Sequence, residues 1–189
     1  MKTLFGRIIL LVIGFLGLAG IIYPFLYVSA QIYPAIVRPD PLVFEVGIGQ
    51  VKKLDIVLEN ATNVYGIQVQ GLFDIQRVEV MDANSARVGI QMIPGTLPKP
   101  DLVMLNSADN GTGTFIYVTT QMNPTPPASG DGVVFSIVIR GREVGESDFT
   151  ITSAIPADID GMALPVTIQN GTIRVLSGTS FIYLPCIHK

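Results

Sequence analysis

The side chains of this chain that are equipped for chemistry are few and poorly spaced for it. A nucleophilic triad needs a base beside its nucleophile, and the single histidine, His188, lies in a C-terminal tail two residues after the single cysteine, Cys186. One cysteine forms neither an internal disulfide nor a Cys-x-x-Cys metal site, so Cys186-Ile187-His188 reads as an incidental tail rather than a two-ligand fragment. A glycosidase sets two carboxyls across a cleft, whereas Asp158 and Asp160 stand two apart with Gly161 following. Their expected role is to accept hydrogen bonds from local backbone amides in a turn. As a calcium loop, Asp158-x-Asp160-Gly161 lacks the downstream bidentate Glu of an EF-hand. The expectation is a non-catalytic protein with no cofactor and no metal of its own.

Other chemistries leave weaker marks. Lys and Arg are scattered, and after the first thirty residues ten basic residues face fifteen acidic ones, a net of −5. Nothing in that pattern suggests a phosphate-binding surface, so no nucleic-acid partner is expected. Sugar rings stack on exposed aromatic platforms, but there is no Trp. Phe44, Tyr65, Phe73, Phe115, Phe135 and Phe149 fall in alternating phases that suit a core, and Tyr117 shares the phase of Phe115. Asn60-Ala61-Thr62, Asn110-Gly111-Thr112 and Asn170-Gly171-Thr172 match the N-glycosylation acceptor, which matters where the host glycosylates exported proteins.

The elements that carry these residues begin after an apolar leader. Lys2 and Arg7 precede an uncharged run from Ile8 to Val37, and residues 8–28 are almost wholly apolar. About 20 such residues cross a bilayer as a helix. Two readings stand side by side. Val28-Ser29-Ala30 before Gln31 suits a signal peptide cleaved after Ala30, while the length of the run, with Tyr23, Tyr27 and Tyr33 at the outer interface, suits a retained transmembrane anchor. Both place the remainder outside the cell or at its surface. Residues 31–41 carry Pro34, Pro39 and Pro41 and read as an extended spacer.

The domain, residues 42–176, reads as strands throughout. Leu42, Phe44 and Val46 alternate, and so do Leu54, Ile56 and Leu58 against Lys53, Asp55, Val57 and Glu59. The stretch Asn60 to Asp74 opens with turn residues and then puts Tyr65, Ile67, Val69, Gly71 and Phe73 on one side and Gly66, Gln68, Gln70 and Leu72 on the other, the period of a half-buried strand. Val78 and Val80 follow, then a short run of Val88, Ile90 and Met92. Leu102 to Leu105 and Thr114 to Thr120 flank a turn rich in Asp, Asn and Gly, a hairpin signal. Residues 123–130 form a Pro-rich loop.

In Gly132 to Gly141, Val133, Phe135, Ile137 and Ile139 point inward and Ser136 and Arg140 outward, with Val134 and Val138 implying that the outer face is partly covered. Phe149 with Ile151, Val166 to Ile168 and Thr172 to Val175 complete about nine strands at the 8–12 residue spacing of a sandwich. Residues 177–189 read as a short apolar tail, too short to span a membrane.

Taken in order, Ile-x-Leu-x-Asn-Ala-Thr-Asn-Val-Tyr-Gly-Ile-Gln-Val ending in Phe73-Asp74, Val78-Glu79-Val80, Asn110-Gly111-Thr112-Gly113, Gly132 to Ile139, Asp160-Gly161 and Asn170 to Val175 resemble a cohesin domain over Leu42 to Val175. The resemblance implies an all-β, nine-stranded jelly-roll sandwich, related to some carbohydrate-binding modules, whose flat face binds a calcium-loaded dockerin. By position, that face uses Gly66, Gln68 and Gln70 with Leu105, Ser107, Ala108 and Gly111. Cohesins that bind dockerins tend to present Asn and Asp where this chain has Gly66 and Gln68, and Tyr-Asp-Pro where it has Phe73-Asp74-Ile75. The expected function is an exported or membrane-tethered protein-binding module. The alternatives are a structural subunit of a cell-envelope assembly and a polysaccharide-binding module.

Overall fold

The computed structural model of the protein describes residues 34–178. The leader read as a signal or anchor helix lies outside the described residues, as does the tail from residue 179 onward with Cys186 and His188. No helix among the described residues is long and apolar enough to cross a membrane.

Twelve strands form two mixed sheets. The first sheet runs β11 (Val166–Ile168), β1 (Ala35–Asp40), β3 (Val51–Val64), β9 (Ala128–Gly141) and β5 (Val78–Met81), with the two-residue β6 (Ile93–Pro94) also pairing β9. The second runs β2 (Val43–Gly47), β12 (Gly171–Leu176), β10 (Gly145–Ala157), β4 (Gly66–Leu72), β8 (Thr114–Thr120) and β7 (Leu102–Asp109). The pairs β1/β11 and β2/β12 are parallel and the other pairs are antiparallel.

Alternation builds the core between the sheets. Leu54, Ile56 and Leu58 of β3 are fully buried, and Ile67, Val69 and Phe73 meet them from the other layer. An aromatic cluster bridges the two sheets. Phe115 of β8 stacks on Phe149 of β10 with ring centroids 5.2 Å apart, and Phe135 of β9 lies 5.9 Å from Phe115 and 4.8 Å from Tyr117. Gly71 falls on the inward phase because nothing larger fits: a Cβ there would lie 2.2 Å from the Thr150 carbonyl oxygen and 2.5 Å from Phe115 Cζ.

Four expectations are corrected. The sandwich starts at Ala35, inside the stretch read as a spacer. Ala35 and Val37 are buried, and β1 pairs with both β3 and β11. Pro39 is tolerated because the Gln169 N–H donates to the Val37 carbonyl, which sets the backbone groups of residues 35, 37 and 39 toward the β11 side. The partners of β11 end at Val37, so the N–H that Pro39 lacks has no ladder bond to make. The nine strands become twelve. The turn expected at the start of the Asn60 to Asp74 stretch is strand instead: Asn60 to Val64 finish β3, and the chain passes through Tyr65 into β4. The Val88 to Met92 run forms no strand; Val88 is fully exposed, and Ile90 makes a single bridge to Ala108.

The covered outer face of β9 has an identified cover. Backbone N–H groups of Gly95 and Thr96 donate to the Val134 and Val133 carbonyls, burying Val134. Ser136, expected to face outward, is buried there and donates to Asp55 Oδ1 at 2.6 Å.

Side chains close the sheet edges. On β2, Lys52 Nζ donates to the Glu45 carbonyl and Gln50 Oε1 accepts from the Gly47 N–H. Beside β7, Asn106 holds both backbone groups of Met92. Beside β5, Asn110 does the same for Val80. The remaining edge strand, β11, is three residues long.

Candidate functional site

Across the outer surface of the second sheet the antiparallel register lines up residues in ranks. One rank is Ala157, Gly66, Thr120 and Leu102; the next is Ile155, Gln68, Val118 and Leu105. Then come Ser153, Gln70, Ile116 and Ser107, and finally Thr150, Leu72, Thr114 and Asp109. Partners in an antiparallel pair share a face, so Gly66, Gln68, Gln70, Leu105 and Ser107 come together as the sequence reading expects.

Two residues of the expected set do not join them. Ala108 is buried on the opposite side of β7, where its N–H donates to the Ile90 carbonyl, because neighbours along a strand point to opposite faces. Gly111 is exposed but sits in the turn beyond the end of β7, where its N–H donates to Asp109 Oδ1 at 2.7 Å.

Two bulges shape the surface. Met104 is the extra residue between Val103 and Leu105 on β7, and Thr152 is the extra residue between Ile151 and Ser153 on β10. Each bulge shifts the alternation by one, which turns Leu105 and Ile155 outward. Leu72, Leu102, Met104, Leu105 and Ile155 are each between 45% and 55% exposed. Sequence reasoning missed Met104 and Ile155, since bulges leave no mark in a period of two, and also Leu102, which pairs Thr120 ahead of the β7 bulge.

The surface is not smooth. A shallow depression of about 370 Å³ is lined by Gly66, Gln68, Met104, Val118, Ile155 and Ile159 among others. A second, of about 290 Å³, includes Gln70, Leu72, Ser107, Thr114 and Ile116.

Charge is confined to the margins. Neither β4 nor β8 contains a charged residue, β7 contributes only Asp109, and β10 contributes Glu146 and Asp148. The Gly111 N–H and the Thr112 hydroxyl hold the Asp109 carboxyl below its usual range. At the other margin, Asp158 Oδ1 accepts from the Asp160 N–H at 3.0 Å and from the Met162 N–H at 2.8 Å. Asp158 therefore serves the turn, with Gly161 at φ 78°, and the turn presents exposed Ile159 and Met162. Among the described residues no group of three or more His, Cys, Asp or Glu is placed to hold a metal ion. The arrangement can exclude water from an apolar partner surface and hydrogen-bond it through two carboxamides.

No family model matches the sequence, and no curated protein matches it. Solved structures do match the fold. A non-cellulosomal cohesin from the hyperthermophilic archaeon Archaeoglobus fulgidus superposes with a TM-score of 0.61 at 21% identity, over 77% of this chain and 93% of that one. A type II cohesin domain from the cellulosome of Acetivibrio cellulolyticus gives a TM-score of 0.63 at 13% identity, over 75% and 95% of the two chains. The Coh-OlpA–Doc918 complex, a type I cohesin–dockerin complex from Clostridium thermocellum, gives 0.60 at 13% identity, over 76% and 100%. The domain has the cohesin fold.

Proposed function

We propose that this cohesin-fold domain is an exported or membrane-tethered, non-catalytic protein-binding module that docks a dockerin-type partner on the outer surface of β10, β4, β8 and β7. The observation that carries the reading is the uncharged, partly apolar surface centred on Gln68 and Val118, ringed by exposed Leu72, Leu102, Leu105 and Ile155. An apolar centre with charge at the rim is the anatomy of a protein interface, and an exposed patch of this kind marks an interaction site. A cohesin solved in complex with a dockerin shares the fold, which supports the class of partner. Polysaccharide binding finds less support, because among the described aromatic residues only Tyr65 is not buried.

The test is a pull-down from an extract of the source organism with the protein as bait, in calcium and in chelator. The expected catch is a partner with paired calcium loops, released by chelator and weakened by Gln68→Arg. Recovery of envelope proteins alone, indifferent to chelator, would replace this reading with a structural subunit of an envelope assembly.

A further inference from the structure

We propose that Asn60 is the N-glycosylation acceptor of this domain, and that Asn110 and Asn170 are passed over although all three begin the same kind of tripeptide. The proposal rests on export and goes beyond the docking surface.

The three asparagines differ in what their carboxamides already do. Asn110 is engaged at both ends: Nδ2 donates to the Val80 carbonyl and Oδ1 accepts from the Val80 N–H, each at 2.9 Å. A sugar on Nδ2 would displace it from the position in which it serves Val80. Asn170 Oδ1 accepts from the Ile151 N–H at 2.9 Å, which holds the carboxamide against β10. The next residue, Gly171, is packed so closely that a Cβ there would meet Pro39 Cγ at 2.6 Å and the Leu42 carbonyl oxygen at 2.8 Å. Asn170 is itself exposed, but Thr172 is held in β12 between β10 and β2, which restrains that tripeptide from extending into an enzyme.

Asn60 differs from both. Its side chain makes no hydrogen bond among the described residues, and both Asn60 and Thr62, the two residues a glycosyl-transfer site must present, are exposed. The backbone kinks there, with φ of 54° at Asn60 and a register shift between Leu58 and Ala61 that breaks the pairing with β9. Asp131 Oδ1 and Ser129 Oγ take the freed Asn60 and Asn63 N–H groups, so the kink is formed without the Asn60 carboxamide. β3 belongs to the first sheet, and a glycan on it leaves the outer surface of the second sheet open.

The donor class is an oligosaccharide on a polyprenyl diphosphate. Asn60 Nδ2 forms a bond to the anomeric carbon as the bond from that carbon to the diphosphate oxygen breaks. The diphosphate leaves with the electron pair and the amide gives up one proton to base, with no change of oxidation state.

The test expresses the full chain, with an Asn-Gly-Thr reporter added after residue 189, in a secreting host that has an oligosaccharyltransferase. Glycopeptides are mapped by mass spectrometry. The expected result is a glycan on the reporter and on Asn60, with Asn110 and Asn170 occupied far less, and loss of the domain glycan in both Asn60→Gln and Thr62→Ala. A modified reporter with bare Asn60 would overturn the proposal while leaving export intact. If reporter and Asn60 are both bare, the proposal falls together with export. Occupancy of Asn110 or Asn170 equal to that of Asn60 would also overturn it.

Discussion

Asn110 of the β7–β8 hairpin grips Val80 of β5 by both backbone groups, one hydrogen bond each way at 2.9 Å. Its side chain acts as a one-residue strand on the open edge of β5, and it ties the second sheet to the first. Replacing Asn110 with Ala strands a partly buried N–H and C=O, which costs about 1–3 kcal/mol. Asn110→Asp keeps the acceptor and loses the donor, so it should fall between wild type and Asn110→Ala. Urea denaturation of the three proteins checks the order, and equal midpoints would show that the grip carries no stability.

Gly71→Ala should be among the most damaging single-methyl changes in the domain. The added carbon would meet a backbone oxygen of β10, which cannot rotate away, and the Phe115 ring, which is stacked on Phe149. Overpacking of this kind costs about 1–3 kcal/mol. The thermal midpoint reads it, and a Gly71→Ala, Phe115→Leu double variant should recover part of the loss by opening space on the side-chain flank.

Burial pushes the Tyr117 phenol up to about 12 from an ordinary value of 10. A raised folded-state value means that the folded protein holds the proton longer. The associated stability is whole below pH 10 and drains away as pH rises from 10 to 12. Two pKa units correspond to about 3 kcal/mol. Denaturant midpoints measured across that window should fall for the wild type, and Tyr117→Phe should flatten the fall.

On the docking surface, Leu105→Arg and Val118→Arg should each weaken partner binding by roughly 30-fold or more, since a charge would enter the uncharged centre of the patch. Both side chains lie on the solvent face of a strand, so unfolding midpoints should stay near wild type. Titration calorimetry beside thermal melts separates the two effects. A loss of binding that tracks a loss of folding would remove these residues from the interface.

How far these features could be read from the chain depends on where the period of two survives. It survives in β4, where Ile67, Val69 and Gly71 turn in and Gly66, Gln68 and Gln70 turn out, and in the Asp158 turn, whose carboxylate chemistry is local. It fails at Met104 and Thr152, where one extra residue reverses the phase and puts Leu105 and Ile155 on the surface. It misleads at Pro39, because a proline in a strand reads as a break unless the end of the neighbouring strand is known. Phase alone points Ser136 outward, and its burial comes from residues 93–97, a contact about forty positions away in sequence.

The closed edges set how this domain can behave in a crowd. An open strand edge is a template on which a second sheet can grow, but here carboxamides and a lysine already occupy or flank the edges of β2, β5 and β7. Among the described residues, that leaves many copies packed side by side on one surface only the three-residue β11 as a seam along which to knit into a fibre. Contact between neighbours is otherwise left to faces, which can let go again.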